Sequence, residues 1–254
     1  MLEGTITDKN KYTLSQVIRC YDVDSRMLLR PSAFMDYAQE MAYQAAEAMG
    51  FGYNEMIKDG KAWVLSRLNF VFEDTPRWGE QVNINTWHKG PSGPFYIRDF
   101  TVTNPADGKI RVRATSSWVI LDIVARRMVR TSDVMEIVNP ETQRSEDAIA
   151  ENAQRISMPR GAEPVKAGTH TVGYSDIDLQ QHTNNARYVL WAMNCIDCEL
   201  IKEHPFKEIT INFNHETLAG NAVDLYVLKD NLTYYVEGTC NGNQVFCLKV
   251  TLYD

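Results

Sequence analysis

The chain has 254 residues, is 44% apolar and carries a formal charge of −7, which allows one large or two modest domains with a substantial core. That charge argues against general affinity for nucleic acid or an anionic membrane, although a local basic patch could still meet an acidic partner. The first residues hold no apolar stretch of the kind a signal peptide needs and no segment approaches a membrane span, so a cytoplasmic location is expected.

An acidic turn, Tyr21-Asp-Val-Asp24, is followed by apolar positions at helical spacing that predict a helix over 32–49. Phe34, Tyr37, Ala38, Met41, Ala42, Ala45 and Met49 share one of its faces. Such a face is plain core or, because small and flexible apolar side chains adapt to irregular cargo, the lining of an apolar cavity. Alternating, β-rich runs predict strands over 62–72, 81–87, 95–103 and 110–122, with Gly90-Pro-Ser-Gly-Pro94 as a turn between two of them. Lys109, Arg111 and Arg113 alternate onto one side of a strand, and Arg126, Arg127 and Arg130 follow near its end. Either cluster is a solvated charged face or a docking surface for an acidic partner. Residues 139–168, rich in Glu, Gln, Ser, Arg and Pro, are expected to form a partly helical connector. A second acidic turn, from Tyr174 to Asp178, precedes a predicted helix over 185–200, and strands follow over 208–213, 222–229, 233–240 and 244–253.

The halves resemble each other. Leu68-Asn-Phe70 followed by Gly79-Glu-Gln-Val82 has a partner in Ile211-Asn-Phe213 followed by Gly220-Asn-Ala-Val223, and an acidic turn and a helix lie upstream in each copy. One helix per sheet cannot cover both faces of a parallel sheet. The expected class is therefore α+β, an antiparallel sheet curled around one long helix, used twice. The expected boundaries are 1–138, a connector over 139–168, and 169–254. Fusion of two copies reproduces inside one chain the pairing that a homodimer makes, so a monomer or a homodimer both fit.

The chemistry concentrates in Asp176-Ile-Asp178-Leu-Gln180-Gln-His182-Thr-Asn184-Asn185-Ala-Arg-Tyr188. Two carboxylates, an imidazole and two amides sit just ahead of the second helix. Free amides at a helix start could hold a carbonyl oxygen as it turns anionic under attack, while Asp178 and His182 handle water and protons. The alternative is a turn closed by an Asp, a helix capped by Asn184 or Asn185, and a satisfied histidine. The first copy supplies neither the His nor the Asn pair, so chemistry is expected in the second. No HExxH, P-loop, GxGxxG or GxSxG occurs, which removes support for several large enzyme classes and for a metal or a cofactor. The five cysteines are odd in number and scattered, as suits reduced thiols. Cys195-Ile-Asp-Cys198 has redox spacing but falls inside the predicted second helix rather than at a helix start.

With these residues in hand, the chain resembles the acyl-acyl-carrier-protein (acyl-ACP) thioesterases of plants and bacteria, which are built from two tandem hotdog domains. The resemblance runs across Ala62-Trp63-Val-Leu-Ser-Arg67, Pro76-Arg-Trp78-Gly79-Glu80, Ala114-Thr-Ser-Ser-Trp118-Val and the D-x-D-x-x-x-H-x-N-N-x-x-Y segment. It implies release of a free fatty acid from acyl-ACP, no cofactor, and acyl carrier protein as partner. The family's Asp, Asn, His, Glu and Cys positions fall on Asp178, Gln180, His182, Glu216 and Thr217. Gln180 keeps a carboxamide on a longer stem, and Thr217 removes a cysteine nucleophile, leaving it at most a secondary role. Water attack assisted by Glu216 or Asp178 with His182 is the implied route, and strand alternation places Glu216 on one face with Asn212 and Asn214. The resemblance also implies that the first half selects the acyl chain, through Phe34, Tyr37, Met41, Ala45 and the strand from Trp63, and that Lys109, Arg111, Arg113, Arg126 and Arg127 meet the acidic carrier. A hydrolase of acyl-CoA, a non-catalytic acyl- or carrier-binding module and a hotdog dehydratase are the rivals.

Overall fold

A computed structural model describes residues 4–7, 10–134 and 138–254. The chain divides into two units: one runs up to residue 29 and continues over 36–153, and the other comprises 30–35 and 154–254.

The first unit contains β1 (Thr5–Ile6), β2 (Tyr12–Val17), most of α1 (Pro31–Ala48), α2 (Tyr53–Met56), β3 (Lys61–Phe72), β4 (Gln81–Ser92), β5 (Phe95–Thr103), β6 (Ile110–Asp122) and β7 (Arg127–Val129). Proline at the first position of α1 costs nothing, since that N–H has no helical partner. The antiparallel order is β1-β2-β4-β5-β6-β3, with β7 on β6. Phe34, Ala38, Met41 and Ala45 form a buried stripe along α1, while Tyr37, on the same helix, is only half-buried. Ala46 of the helix packs in one cluster with Phe51, Tyr96 and Ile120, which identifies the face of the sheet that meets α1. The register carries that face across the strands as apolar rows, such as Phe72, Val112, Val102 and Ile84, interrupted by a row of three polar residues, Ser116, Arg98 and His88.

The opposite face is covered by the chain after β7. Trp87 Nε1 donates to the Glu146 carbonyl at 2.7 Å, Ala148 N–H to Asp99 Oδ2 at 2.7 Å, and Arg144 N–H to the His88 carbonyl at 2.8 Å. The expected partly helical connector is thus an extended strap with a single 3-10 turn at Pro140–Thr142. Its backbone groups are bonded to strand side chains, and Pro159 and Pro164 oppose a helix further on.

The second unit contains β8 (Val165–Thr171), α3 (Asn185–Met193), α4 (Cys198–Glu203), β9 (Phe206–Phe213), β10 (Ala222–Asp230), β11 (Thr233–Cys240) and β12 (Asn243–Leu252), in the antiparallel order β9-β12-β11-β10-β8. β8 begins inside the stretch assigned to the connector. The expected helix over 185–200 is two helices, because Asp197 takes an extended backbone and its side chain accepts the Glu199 N–H at 2.8 Å, starting α4 anew. Cys198 accordingly lies at a helix start rather than inside a helix. In this unit, too, the strap is pinned: Asn212, buried on β9, accepts the Ile156 N–H at 2.7 Å and donates to the Gln154 carbonyl at 2.9 Å.

The two units share a corner motif. In the first, a 3-10 turn at Cys20–Asp22 ends in a buried carboxylate that accepts the Arg19 N–H at 3.0 Å and the Tyr37 hydroxyl, itself bonded by Gln16 at 2.8 Å. In the second, a turn at Tyr174–Asp176 ends in Asp176, which accepts the Gly173 N–H at 2.8 Å, His170 Nε2 at 2.9 Å and the Trp191 indole. Gln16, Asp22 and Tyr37 thus correspond to His170, Asp176 and Trp191 at constant spacing. The following loops match as well. Asp24 N–H bonds the Leu28 carbonyl at 2.8 Å and Asp178 N–H bonds the His182 carbonyl at 2.9 Å, and each loop holds a non-glycine residue in the left-handed region, Met27 at φ 63 and Gln181 at φ 65.

His88 provides a test of the polar row. Burial, then the Arg98 charge, lower its pKa from the ordinary value to about 3. The unfolded chain therefore binds a proton, below about pH 6.5, that the folded chain refuses. Stability from this site is complete above that value and is lost as pH falls toward 3, by at most about 1.4 kcal/mol per pH unit. Urea unfolding at pH 7 and pH 5 should show a smaller loss of stability in His88→Phe than in the wild type; equal losses would place the proton elsewhere.

Candidate active site

In the second unit, the loop between the corner turn and α3 carries the predicted residues, and backbone bonds fix its shape. Asp178 N–H and Gln181 N–H close the turn, Asn184 N–H bonds the Asp176 carbonyl at 2.8 Å, and Thr183 N–H bonds the Thr217 carbonyl at 2.9 Å. The last bond brings the chain after β9 alongside the loop. His182 Nε2 then lies 3.4 Å from Glu216 Oε2, with side chains 36% and 54% exposed, so the pair is open to a substrate.

Glu216 lies beyond the end of β9 at Phe213, so strand alternation does not set its direction; the turn that follows does. Asn214, assigned to the same face, donates to Gln244 Oε1 at 2.6 Å, and Asn212 is the buried clamp on the strap. Asp178 is half-buried and meets His182 through backbone; its Oδ1 accepts the Gln180 N–H at 2.9 Å. The Gln180 side chain points outward, exposed, without a hydrogen bond among the described residues. Asn184 is the N-cap of α3, its Oδ1 accepting the Ala186 N–H at 2.9 Å. Asn185 opens the helix, and its carboxamide has no hydrogen bond among the described residues.

Thr217 is 1% exposed and belongs to a buried hydroxyl trio, 2.7 Å from Thr183 Oγ1 and 2.9 Å from the Tyr188 hydroxyl. Its Oγ1 is occupied in holding loop, helix and strand end together, which leaves no role as a nucleophile. Tyr188, Thr183 and His170 were not singled out from the sequence. Tyr188 stands in the motif, but only the folded contact with Thr217 gives it a task, and His170 stacks on Trp191 at 4.2 Å. Cys195 lies in the turn between α3 and α4, and burial pushes its thiol up to about 11, far from a reactive thiolate.

The first unit retains the loop without the chemistry. Leu28 takes the place of His182, Asp24 is bound by Arg26 at 2.7 Å, and Glu73, at the position of Glu216 in the strand repeat, pairs with Arg113. Of the cationic clusters, Arg111 is 6% exposed and pairs with Asp74 at 3.0 Å and Glu80 at 3.3 Å. Arg111 and Arg113 therefore do not form a docking patch with Lys109. Arg126, Arg127 and Arg130 remain exposed on the β6–β7 hairpin with Ile123, Val124 and Met128. Trp63 is half-buried, its indole donating to the Phe51 carbonyl at 2.8 Å. Among the described residues no group of three or more His, Cys, Asp or Glu could hold a metal, and no helix is long and apolar enough to cross a membrane.

An α+β chain with this corner motif used twice and an imidazole–carboxylate pair in the second copy is a tandem hotdog protein. A crystal structure of an acyl-ACP thioesterase from Bacteroides thetaiotaomicron superposes with a TM-score of 0.86 at 25% identity, covering 96% of this chain and 98% of that one. The 12:0-ACP thioesterase from Umbellularia californica gives 0.84 at 20% identity, covering 97% and 98%. Residues 9–139 match the model of the acyl-ACP thioesterase N-terminal domain and residues 163–241 that of the C-terminal domain. The chain belongs to the acyl-ACP thioesterase family. A chloroplastic palmitoyl-acyl carrier protein thioesterase of Gossypium hirsutum is 29% identical over 208 residues, which is 78% of this chain and 50% of that protein. The oleoyl-acyl carrier protein thioesterase 1 of Arabidopsis thaliana is 25% identical over 236 residues, 87% of this chain and 65% of that protein. The chain spans about half the length of the first of these relatives.

Burial alone would raise the Asp176 carboxyl, but the Gly173 N–H, His170 and the Trp191 indole together hold it below the usual carboxylate range. Its contribution to stability is present above the ordinary Asp value of about 3.9 and is lost as pH falls through the lower folded value. Asp176→Asn should therefore destabilise the protein at pH 7 by roughly 1–3 kcal/mol. The deficit, measured by chemical unfolding, should shrink below pH 4; a deficit independent of pH would show that the charge is not what matters.

Proposed function

We propose that the chain hydrolyses the thioester of an acyl group carried by acyl carrier protein and releases the free fatty acid, with the chemistry in the second unit. The observation that carries this reading is the open His182–Glu216 pair at 3.4 Å, just ahead of the α3 N-terminus. Glu216 takes a proton from water as its oxygen bonds to the thioester carbon. The carbonyl oxygen becomes anionic and is received by the Asn185 N–H, which the helix start fixes in place, and by the Asn185 carboxamide. The C–S bond then breaks, and the departing thiolate takes a proton through the Glu216–His182 pair. Asp178 acts as a positioning residue, through the turn it closes.

The first unit provides the acyl-chain pocket, with Met41, Ala45 and Trp63 among its lining. The carrier docks on the β6–β7 hairpin, where Arg126, Arg127 and Arg130 face an acidic surface and Ile123, Val124 and Met128 supply apolar contact. The five free cysteines suit a reducing compartment such as the cytoplasm.

Thiol release from acyl-ACPs of increasing chain length tests the reading. Turnover should peak at one length and fall about 100-fold or more in Glu216→Gln and His182→Ala. Cys195→Ser should stay within about twofold of wild type, since its thiol is not activated. Reversing Arg127 and Arg130 to Glu should lower kcat/KM for acyl-ACP while sparing acyl-CoA. No turnover at any length, with acyl-ACP still bound, would make this a binding module instead.

A further inference from the structure

The polar row on the α1-facing side of the first unit's sheet is out of place in a pocket for hydrocarbon. His88 and Arg98 are register partners on β4 and β5, and they are 2% and 6% exposed. The rows on either side are mostly apolar or aromatic: Phe100 and Ala114 with Thr86 on one, Tyr96 and Trp118 on the other. His88 sits among rings, its centroid 5.5 Å from Phe51 and 5.8 Å from Tyr96. One ring nitrogen is satisfied by the Ile97 backbone, whereas Nε2 is buried with no hydrogen-bond partner. Since burial keeps the imidazole neutral, Nε2 is a lone-pair acceptor on a ring that packs against Phe51 and Tyr96. Arg98 has the complementary excess. Its guanidinium carries five N–H donors, yet it bonds only Thr86 Oγ1, at 3.3 Å, and no carboxylate pairs with it among the described residues. Ser116 is already engaged, donating to the Arg98 carbonyl at 2.9 Å and accepting from Trp118 Nε1 at 2.8 Å.

An unused acceptor beside unused donors selects among ligands. A saturated chain satisfies neither, and leaving the buried His88 Nε2 unpaired carries a cost. A ketone or a carboxylate accepts from Arg98 but offers no hydrogen to His88. A hydroxyl does both, accepting from the guanidinium and donating to Nε2. We infer that the first unit recognises an acyl chain bearing a hydroxyl group, held between His88 Nε2 and the Arg98 guanidinium. This rests on the hydrolase reading for its substrate, and it makes His88 and Arg98 specificity-determining residues.

The test uses the full-length protein and two readouts. Thiol release is measured with acyl-ACPs of one chain length, unsubstituted or carrying a hydroxyl at successive carbons, and binding of the matching free acids is followed by calorimetry. For one hydroxyl position, wild type should show kcat/KM and affinity about tenfold or more above the unsubstituted chain. His88→Leu should bring that ratio to about one or below, whereas His88→Gln, which keeps a carbonyl acceptor, should retain part of it. Should Arg98→Leu fold, it should abolish the preference as well. Hydrolysis of unsubstituted chains with no hydroxyl preference at any position would overturn the inference, leaving His88 Nε2 an unpaired core acceptor, and would spare the hydrolase reading. Selective, His88-dependent binding of the hydroxy acid without thiol release would support the inference while removing the hydrolase reading.

Discussion

The arrangement depends on one buried carboxylate at the corner where strand, turn and helix meet. A carboxylate withdrawn from water is costly unless it accepts several hydrogen bonds. Asp176 accepts them from a backbone N–H, from an imidazole on β8 and from an indole on α3, so it fastens three elements at one point. The loop that carries His182 hangs from this corner, and the Thr183–Thr217–Tyr188 hydroxyls fasten its far end. His182 faces Glu216 because both anchors hold.

The same corner in the first unit uses Gln16, Asp22 and Tyr37, and the loop beyond it follows the same backbone path. The outcome differs because of side chains alone. Asp24 and Glu73 are still present, but each is paired with an arginine, and the imidazole position holds Leu28. What distinguishes the units is therefore the partners the carboxylates receive rather than the carboxylates themselves. The first unit is left with an α1-facing sheet surface on which His88 and Arg98 lie among aromatic rings.

Much of this was legible in the sequence because strands announce themselves by alternation and the motif before α3 is dense. Alternation gives strands β5 and β11 the boundaries they have, and the repeat of Leu68-Asn-Phe70 in Ile211-Asn-Phe213 points to the doubled fold. The failures share a physical cause. The helix over 185–200 was overrun because apolar periodicity continues through Ile196, while Asp197 capping α4 is a local competition that periodicity does not register. Arg111 looked like a surface cation because sequence shows its charge but not Asp74 and Glu80 beside it. Glu216 was assigned by alternation although the strand had already ended. His88 and Arg98 went unnoticed because they meet only through the register of β4 on β5, which a bulge after His88 adjusts.

The left-handed residues in the two loops have a chemical consequence. Met27 and Gln181 sit where an L side chain costs on the order of 1 kcal/mol, yet the turn around each is closed by main-chain bonds and by the carboxylate of Asp24 or Asp178, groups the two loops share. Between those shared groups the loops differ in chemistry, with Leu28 where the second unit has His182, while the backbone bonds stay the same. A loop fixed by its backbone and one carboxylate can change its chemistry without changing its shape.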